Sequence, residues 1–137
     1  MPVRFQSTIE RDPTSGVDVI TSGILSFAAG VGTFTCSTRL EPDQRVDIYG
    51  TDGRIRIEIP FNIPPDRPTR VFVTAGGDPP VAPATEILTF PPTDPYAAEA
   101  EAFAGAILDG MPVPTPPADA VANLDVLEAL FAAAPAT

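Results

Sequence analysis

The sequence predicts an α+β fold, an open-faced and mainly antiparallel β-sheet of about six or seven strands with helices packed on one face. Apolar residues alternate with polar ones at a period of two through the first two thirds of the chain. The connections between these segments are too short for the helical crossovers that parallel strands require. The last third changes to a helical period, which indicates a helical layer against the sheet. With 137 residues, the chain fits a single domain, residues 1–137.

Three strands are predicted before residue 40. They cover residues 3–11, 17–27 and 31–39, and the second and third are rich in Val, Ile, Thr and Phe. Both parities of segment 17–27 carry apolar groups. This is typical of a central strand with a layer against each side, or of a strand with one face on helices and the other on another subunit. Cys36 lies in the third strand without a second cysteine to pair with, and we interpret it as a buried small apolar residue.

Residues 44–60 predict a β-hairpin, because their alternation and their turn residues agree. Gly50-Thr51-Asp52-Gly53 supplies two glycines and an Asp-Gly pair, which tolerate the positive φ angles of tight turns. Apolar side chains share one parity of the two arms: Val46, Ile48, Ile55, Ile57 and Ile59. One face of the hairpin should therefore be buried, and the other should be wet or covered by a partner.

Two short strands and two helices complete the predicted fold. The strands cover residues 70–75 and 85–90, and proline-rich connectors lie at 60–68, 79–83, 91–95 and 112–117. The first helix should cover 96–109, with Asp94 as its N-cap, Pro95 in its first turn and Gly110 as its stop. The second should present apolar residues between 121 and 131, and Thr115 or Asp119 could cap it.

The composition excludes several kinds of chemistry. The chain has no Lys, His or Trp, its only cationic side chains are eight arginines, and its net charge is −10. It therefore cannot supply an imidazole base, a Schiff-base amine or a His-ligated metal site. The negative charge disfavours nucleic acid or an anionic membrane as a partner. No segment predicts a signal peptide or a membrane span, and we expect a cytoplasmic protein.

Carboxylates are the only abundant catalytic material, so a hydrolase with paired acids is one hypothesis. Asp47 and Glu58 lie on opposite hairpin arms, where cross-strand pairing with arginine explains them as well. We therefore assign no catalytic, cofactor-binding or metal-binding residue. The hairpin arginines Arg45, Arg54 and Arg56 could bind an anionic ligand or a carboxylate across an interface, although cross-strand pairing with the neighbouring acids is the default expectation.

Four segments in this order resemble the C-terminal domain of the Gfo/Idh/MocA oxidoreductases, most closely the sugar and dihydrodiol dehydrogenase branch. They are SGVDVITSGILSFAAGVGTFTCSTR at 15–39, QRVDIYGTDGRIRIEIPF at 44–61, DPYAAEAEAFAGAILDG at 94–110 and DAVANLDVLEAL at 119–130. The resemblance implies an NAD(P)-dependent parent enzyme whose Rossmann domain, glycine motif and catalytic lysine precede these segments. None of those parts is expected in this chain, so the resemblance transfers no catalytic or cofactor-binding residue to it.

The resemblance predicts the substrate-side and oligomerisation domain of an oxidoreductase that acts on a sugar, polyol or diol with NAD or NADP. By itself the chain should be inactive, and a missing Rossmann domain is one expected partner. The alternative is a stand-alone module that dimerises through its sheet and does no catalysis. In either case we expect a homodimer or a higher even oligomer through the sheet face with Arg45, Tyr49, Arg54 and Arg56, because helices should cover the Val46 face.

Overall fold

A computed structural model describes residues 1–77 and 84–135, which contain seven strands and two helices. The predicted connector at 79–83 lies outside the described residues. The predicted α+β class and the antiparallel strand order are confirmed, and the strands form two sheets. The elements are β1 Arg4–Arg11, β2 Asp18–Phe27, β3 Gly30–Ser37, β4 Arg45–Gly50, β5 Gly53–Glu58, β6 Thr69–Ala75, β7 Thr85–Phe90, α1 Pro95–Leu108 and α2 Pro117–Ala133.

The first compact unit contains residues Met1–Glu41 and Pro114–Thr137. Its sheet has the order β1-β2-β3, with every neighbouring pair antiparallel. The register places Ser7 opposite Gly23, and Gly23 opposite Phe34. β2 is therefore the central strand of this sheet, as its two apolar parities predicted, and α2 packs against β1.

Helix α2 is held on the sheet by a small buried cluster. Leu130 is only 5% exposed, and the hydroxyl of buried Ser7 donates a hydrogen bond to the Leu130 carbonyl oxygen. Gly23 leaves room for this contact, because a Cβ there would lie 2.4 Å from the Phe34 ring and 3.2 Å from Leu130 Cδ2. The absence of a side chain at Gly23 thus allows the Phe34 ring and Leu130 of α2 to pack together over this position of the sheet.

The second compact unit contains residues Pro42–Val113. Its sheet has the order β4-β5-β6-β7 and is antiparallel throughout. Gly50 pairs with Gly53, so Thr51 and Asp52 form a two-residue turn where the sequence predicted one. The Gln44 side chain accepts hydrogen bonds from the backbone N–H groups of Phe61 and Asn62, each at 3.2 Å, and so ties the chain leaving the hairpin back to its start.

The two helices differ in how their N-termini are satisfied. The Asp94 carboxylate accepts hydrogen bonds from Tyr96 N at 2.9 Å and Ala97 N at 3.3 Å, which confirms the predicted cap of α1. The predicted cap of α2 by Thr115 or Asp119 is wrong. Pro116 precedes the helix without a side-chain cap, and Asp119 lies inside the first turn, where its charge favours the helix dipole.

Two packing expectations are corrected by the structure. Cys36 is exposed and not buried, because α2 lies over β1 whereas Cys36 is on β3, at the opposite edge of the sheet. In the second unit the apolar hairpin face keeps Ile48 and Ile55 exposed, and Phe103 and Ile107 of α1 are exposed as well. The helical cover expected over this face is therefore incomplete within the described residues.

Candidate interface on the four-stranded sheet

The four predicted interface residues lie on one face of the four-stranded sheet. Tyr49 is opposite Arg54, and Arg45 and Arg56 occupy the same parity of their strands. β6 and β7 extend this face. We call it the charged face, and it consists of Arg45, Asp47, Tyr49, Arg54, Arg56, Glu58, Arg70, Phe72, Thr74, Thr85, Ile87 and Thr89.

Most of the ionic groups on the charged face are paired within the chain. Arg56 binds Asp47 through two hydrogen bonds, Nε to Oδ1 at 2.6 Å and Nη2 to Oδ2 at 3.3 Å. Arg70 likewise donates two hydrogen bonds to the Glu58 carboxylate, both at 2.8 Å. Arg45 lies between Asp43 and Asp47. The default expectation of cross-strand pairing in the hairpin is thus confirmed for Arg56, whereas Arg45 pairs with carboxylates on its own arm.

These pairs keep the two carboxylates ionised. Hydrogen bonding from Arg56 is the main cause that lowers the pKa of Asp47, and hydrogen bonding from Arg70 lowers the pKa of Glu58. A general acid in a glycoside-type site needs a raised pKa instead. The hydrolase hypothesis therefore finds no support at the two acids of the hairpin.

We expect the ion pairs of the charged face to make the chain less stable in acid. A carboxyl whose pKa is lower in the folded state stabilises that state above its unfolded pKa, near 3.8 for Asp47 and 4.5 for Glu58. This stabilisation disappears as the pH falls through the lowered folded values. Thermal melts between pH 7 and pH 3 should show that the Tm of the unmodified chain falls below about pH 5. In the double variant Asp47→Asn, Glu58→Gln, the Tm should fall less steeply over the same pH range.

The matched control for this pH series is Glu86→Gln, which removes a carboxylate on the opposite face of the same sheet. Its melting curve should keep the acid sensitivity of the unmodified chain. Because the paired side chains are partly exposed, the change in Tm should be a few degrees at most and smaller in high salt. An identical acid dependence in the double variant would contradict the role of these pairs.

Arg54 differs from its neighbours, because it has no ion pair within the described residues. It borders an open depression of about 220 Å³ in the charged face. The depression is lined by Arg54, Arg56, Glu58, Phe72, Thr74 and Thr85. Thr74 is only 5% exposed, and its hydroxyl lies 2.9 Å from that of Thr85.

Sequence reasoning missed the contribution of β6 to this face. Arg70, Phe72 and Thr74 share one parity of their strand, and that alternation was the available signal. The pairing register was not readable, and it is the register that places Phe72 beside Arg56 and Thr74 beside Arg54. Arg70 also lies over the Phe72 ring, 5.4 Å from its centroid, which contributes a cation–π contact.

Residues 1–77 and 84–135 contain neither a cluster of metal ligands nor a membrane-spanning helix. No group of three or more acidic or cysteine side chains there is arranged to hold a metal ion. Within the same residues, no helix has the length and apolar character needed to cross a membrane.

Two curated oxidoreductases match this chain over nearly its whole length. An uncharacterised oxidoreductase, ORF334 of Rhizobium meliloti, is 35% identical over 130 residues, which are 94% of this chain and 39% of the relative. D-xylose 1-dehydrogenase (NADP+) 2 of Haloferax volcanii is 31% identical over 132 residues, which are 96% of this chain and 38% of the relative. No protein-family model matches the chain.

Solved structures with low sequence identity share the fold. A lysine-to-alanine mutant of KijD10, a 3-ketoreductase from Actinomadura kijaniata bound to TDP-benzene and NADP, has a TM-score of 0.79 at 18% identity, covering 95% of this chain and 41% of its own. YPO2259 from Yersinia pestis, a protein assigned as an oxidoreductase, has a TM-score of 0.72 at 17% identity, covering 97% and 42%. The resemblance to the Gfo/Idh/MocA oxidoreductases is confirmed.

The matched lengths limit how much of the Gfo/Idh/MocA resemblance this chain represents. This chain spans about two fifths of the length of the curated relatives. It corresponds to a domain related to oxidoreductases, and the matches are consistent with a C-terminal domain of that family.

Proposed function

We propose that this chain is the substrate-side and oligomerisation domain of a nicotinamide-dependent oxidoreductase acting on a sugar, polyol or diol. Dinucleotide binding and hydride transfer belong to a segment outside these 137 residues. The observation that carries the proposal is the match to two oxidoreductases over 94% and 96% of this chain but only 39% and 38% of theirs.

The substrate class rests on what the relatives are named for. One curated relative is a D-xylose dehydrogenase, and one structural neighbour is a 3-ketoreductase in complex with TDP-benzene. Both names describe an oxidation or a reduction at a hydroxyl or carbonyl carbon. The same two names carry NADP, which makes NADP, or NAD, the cofactor we propose for the parent enzyme.

The residue types in the chain support the proposal that it is the domain of the parent enzyme that does not carry out hydride transfer. Hydride transfer to a carbonyl needs a group that donates or removes a proton at the oxygen, commonly a His, Lys or Tyr. This chain has no His and no Lys. Its two tyrosines, Tyr49 and Tyr96, are 71% and 74% exposed, so neither lies in an enclosed site.

A cofactor titration tests whether dinucleotide binding lies outside these 137 residues. We expect the purified 137-residue chain to leave NADPH fluorescence unchanged and to oxidise neither xylose nor a vicinal diol. The product of the complete coding region that contains this chain should bind NADPH and reduce NADP+ with one of these substrates. Saturable binding of NADPH to the 137-residue chain alone would overturn the proposal.

For assembly, we propose that the charged face joins two copies of the chain. Its centre has Phe72 paired with Ile87, and arginines and Tyr49 surround them. Aromatic residues and Arg are enriched in protein interfaces, where a few of them contribute most of the binding free energy. An isologous contact through this face would give the even oligomer that the sequence predicted.

The two tyrosines provide a matched test of this interface. Tyr49→Ser removes an exposed ring from the charged face, whereas Tyr96→Ser removes an equally exposed ring from α1. We expect Tyr49→Ser to weaken dimerisation about ten-fold or more, and Tyr96→Ser to leave it unchanged, by light scattering over a concentration series. A monomeric mass for the unmodified chain at high concentration, or equal effects of the two variants, would count against the interface.

A further inference from the structure

The depression beside Arg54 has the chemistry of a small anion site. Arg54 is the one guanidinium on the charged face that has no carboxylate partner within the described residues. Asp47 is already bound by Arg56 and Arg45, and Glu58 is bound by Arg70. Among the described residues, these carboxylates are therefore engaged by other arginines, which leaves the five N–H donors of Arg54 without a carboxylate partner there.

The residues around Arg54 provide further hydrogen-bond donors and an apolar lining for the depression. Arg56 follows two residues later on the same strand face, and its Nε and Nη2 groups are the ones engaged by Asp47. Tyr49 also interacts with this guanidinium, and the N–H groups of Arg56 that Asp47 and Tyr49 do not engage can donate to a ligand. The Thr74 and Thr85 hydroxyls meet at 2.9 Å, and one of them can turn a proton toward a ligand. The Phe72 ring forms part of the apolar lining.

The charge balance of the face favours an anion. Four arginines, at 45, 54, 56 and 70, are accompanied by three carboxylates, Asp43, Asp47 and Glu58, so one positive charge is left unbalanced. The face is thus locally cationic in a chain whose net charge is −10. A forked guanidinium and nearby hydroxyl donors suit the oxygens of a phosphate or carboxylate group.

We propose that Arg54, Arg56 and the Thr74–Thr85 hydroxyl pair bind an oxyanion, a phosphate or carboxylate group, in the depression of the charged face. The depression of about 220 Å³ accommodates such a group. This site is independent of the proposed hydride chemistry. It is tested on the 137-residue chain at concentrations where light scattering gives a monomer, so that failure of the proposed dimer and failure of this site give different results.

The test is an NMR titration of the labelled chain with inorganic phosphate, compared with sodium chloride at equal ionic strength. We expect the Nε–H signals of Arg54 and Arg56 and the amide signals of Thr74 and Thr85 to shift saturably with phosphate and not with chloride. Acetate should shift the same signals more weakly, because it carries one charge and two oxygens. Shifts that are linear, or equal with chloride, would show general screening and overturn the site.

Variants assign the effect to Arg54. Arg54→Gln should weaken phosphate binding about ten-fold, since it removes charge-assisted hydrogen bonds. Arg54→Lys keeps the charge without the fork and should bind with intermediate affinity. Arg67→Gln removes an exposed arginine that precedes β6 and should bind as the unmodified chain does. If Arg54→Gln retains dispersed spectra and unchanged phosphate affinity, the proposal is wrong.

Discussion

Replacing Gly53 with alanine should destabilise the four-stranded sheet by about 3 kcal/mol or more, a large part of the stability of a small domain. A Cβ at this position would lie 2.4 Å from the Thr74 carbonyl oxygen, 3.3 Å from Gly76 N and 3.4 Å from Ala75 Cα. All three are backbone atoms of the neighbouring chain segment. The φ angle of Gly53 is +155°, which residues with a side chain rarely adopt.

The clash at Gly53 cannot be relieved by a rotamer change, because the neighbouring backbone is held by the sheet. Gly53 is paired with Gly50 on one side and with Ala75 on the other. The Gly76 N–H also donates to the Asp52 carbonyl oxygen at 2.7 Å, which fixes the end of β6 against the turn. The strands must therefore separate at the hairpin end, and ladder hydrogen bonds are lost with the movement.

Gly50→Ala is the matched control for this prediction, because it adds the same methyl group to the other end of the same turn. Its Cβ would meet only the Gly53 carbonyl oxygen at 3.6 Å, an ordinary contact. Urea denaturation followed by tyrosine fluorescence reports on this sheet, since Tyr49 lies in β4. Equal midpoints for the two variants would mean that the close approach of β6 to Gly53 is not a real constraint.

The difference between the two glycines shows what the sequence could and could not predict. The alternation and the Asp-Gly pair were sufficient to predict the hairpin and the turn between Gly50 and Gly53. These local patterns do not distinguish Gly50 from Gly53. The asymmetry arises from β6, whose residues are about 20 positions away in the chain, and local pattern carries no information about that approach.

The sheet face on which the candidate interface lies was also predicted in part. A period of two places Arg45, Tyr49, Arg54 and Arg56 on one face, and the register agrees. Which arginine stays without a partner depends on long-range pairing, because Arg70 of β6 takes Glu58. Cys36 was misjudged for a related reason: alternation predicts the face on which a side chain lies but not whether a helix covers that part of the face.

Leu130→Ala should detach α2 from the three-stranded sheet and cost about 2–3 kcal/mol. Leu130 is one of two buried apolar side chains among the described residues, the other being Val19. Its Cδ2 atom lies against the space above Gly23, next to the Phe34 ring. Truncation leaves a cavity at the point where the helix meets the sheet, and few other apolar contacts are buried there to compensate.

Leu127→Ala is the control on the same helix, because Leu127 is 49% exposed and its removal leaves little or no buried cavity. It should cost less than about 1 kcal/mol. Hydrogen exchange separates the two variants, since α2 amides should lose protection in Leu130→Ala and keep it in Leu127→Ala. The Ser7 hydrogen bond goes to the backbone carbonyl of residue 130 and survives the truncation. If protection of α2 were unchanged in Leu130→Ala, this hydrogen bond rather than apolar burial would be what holds the helix.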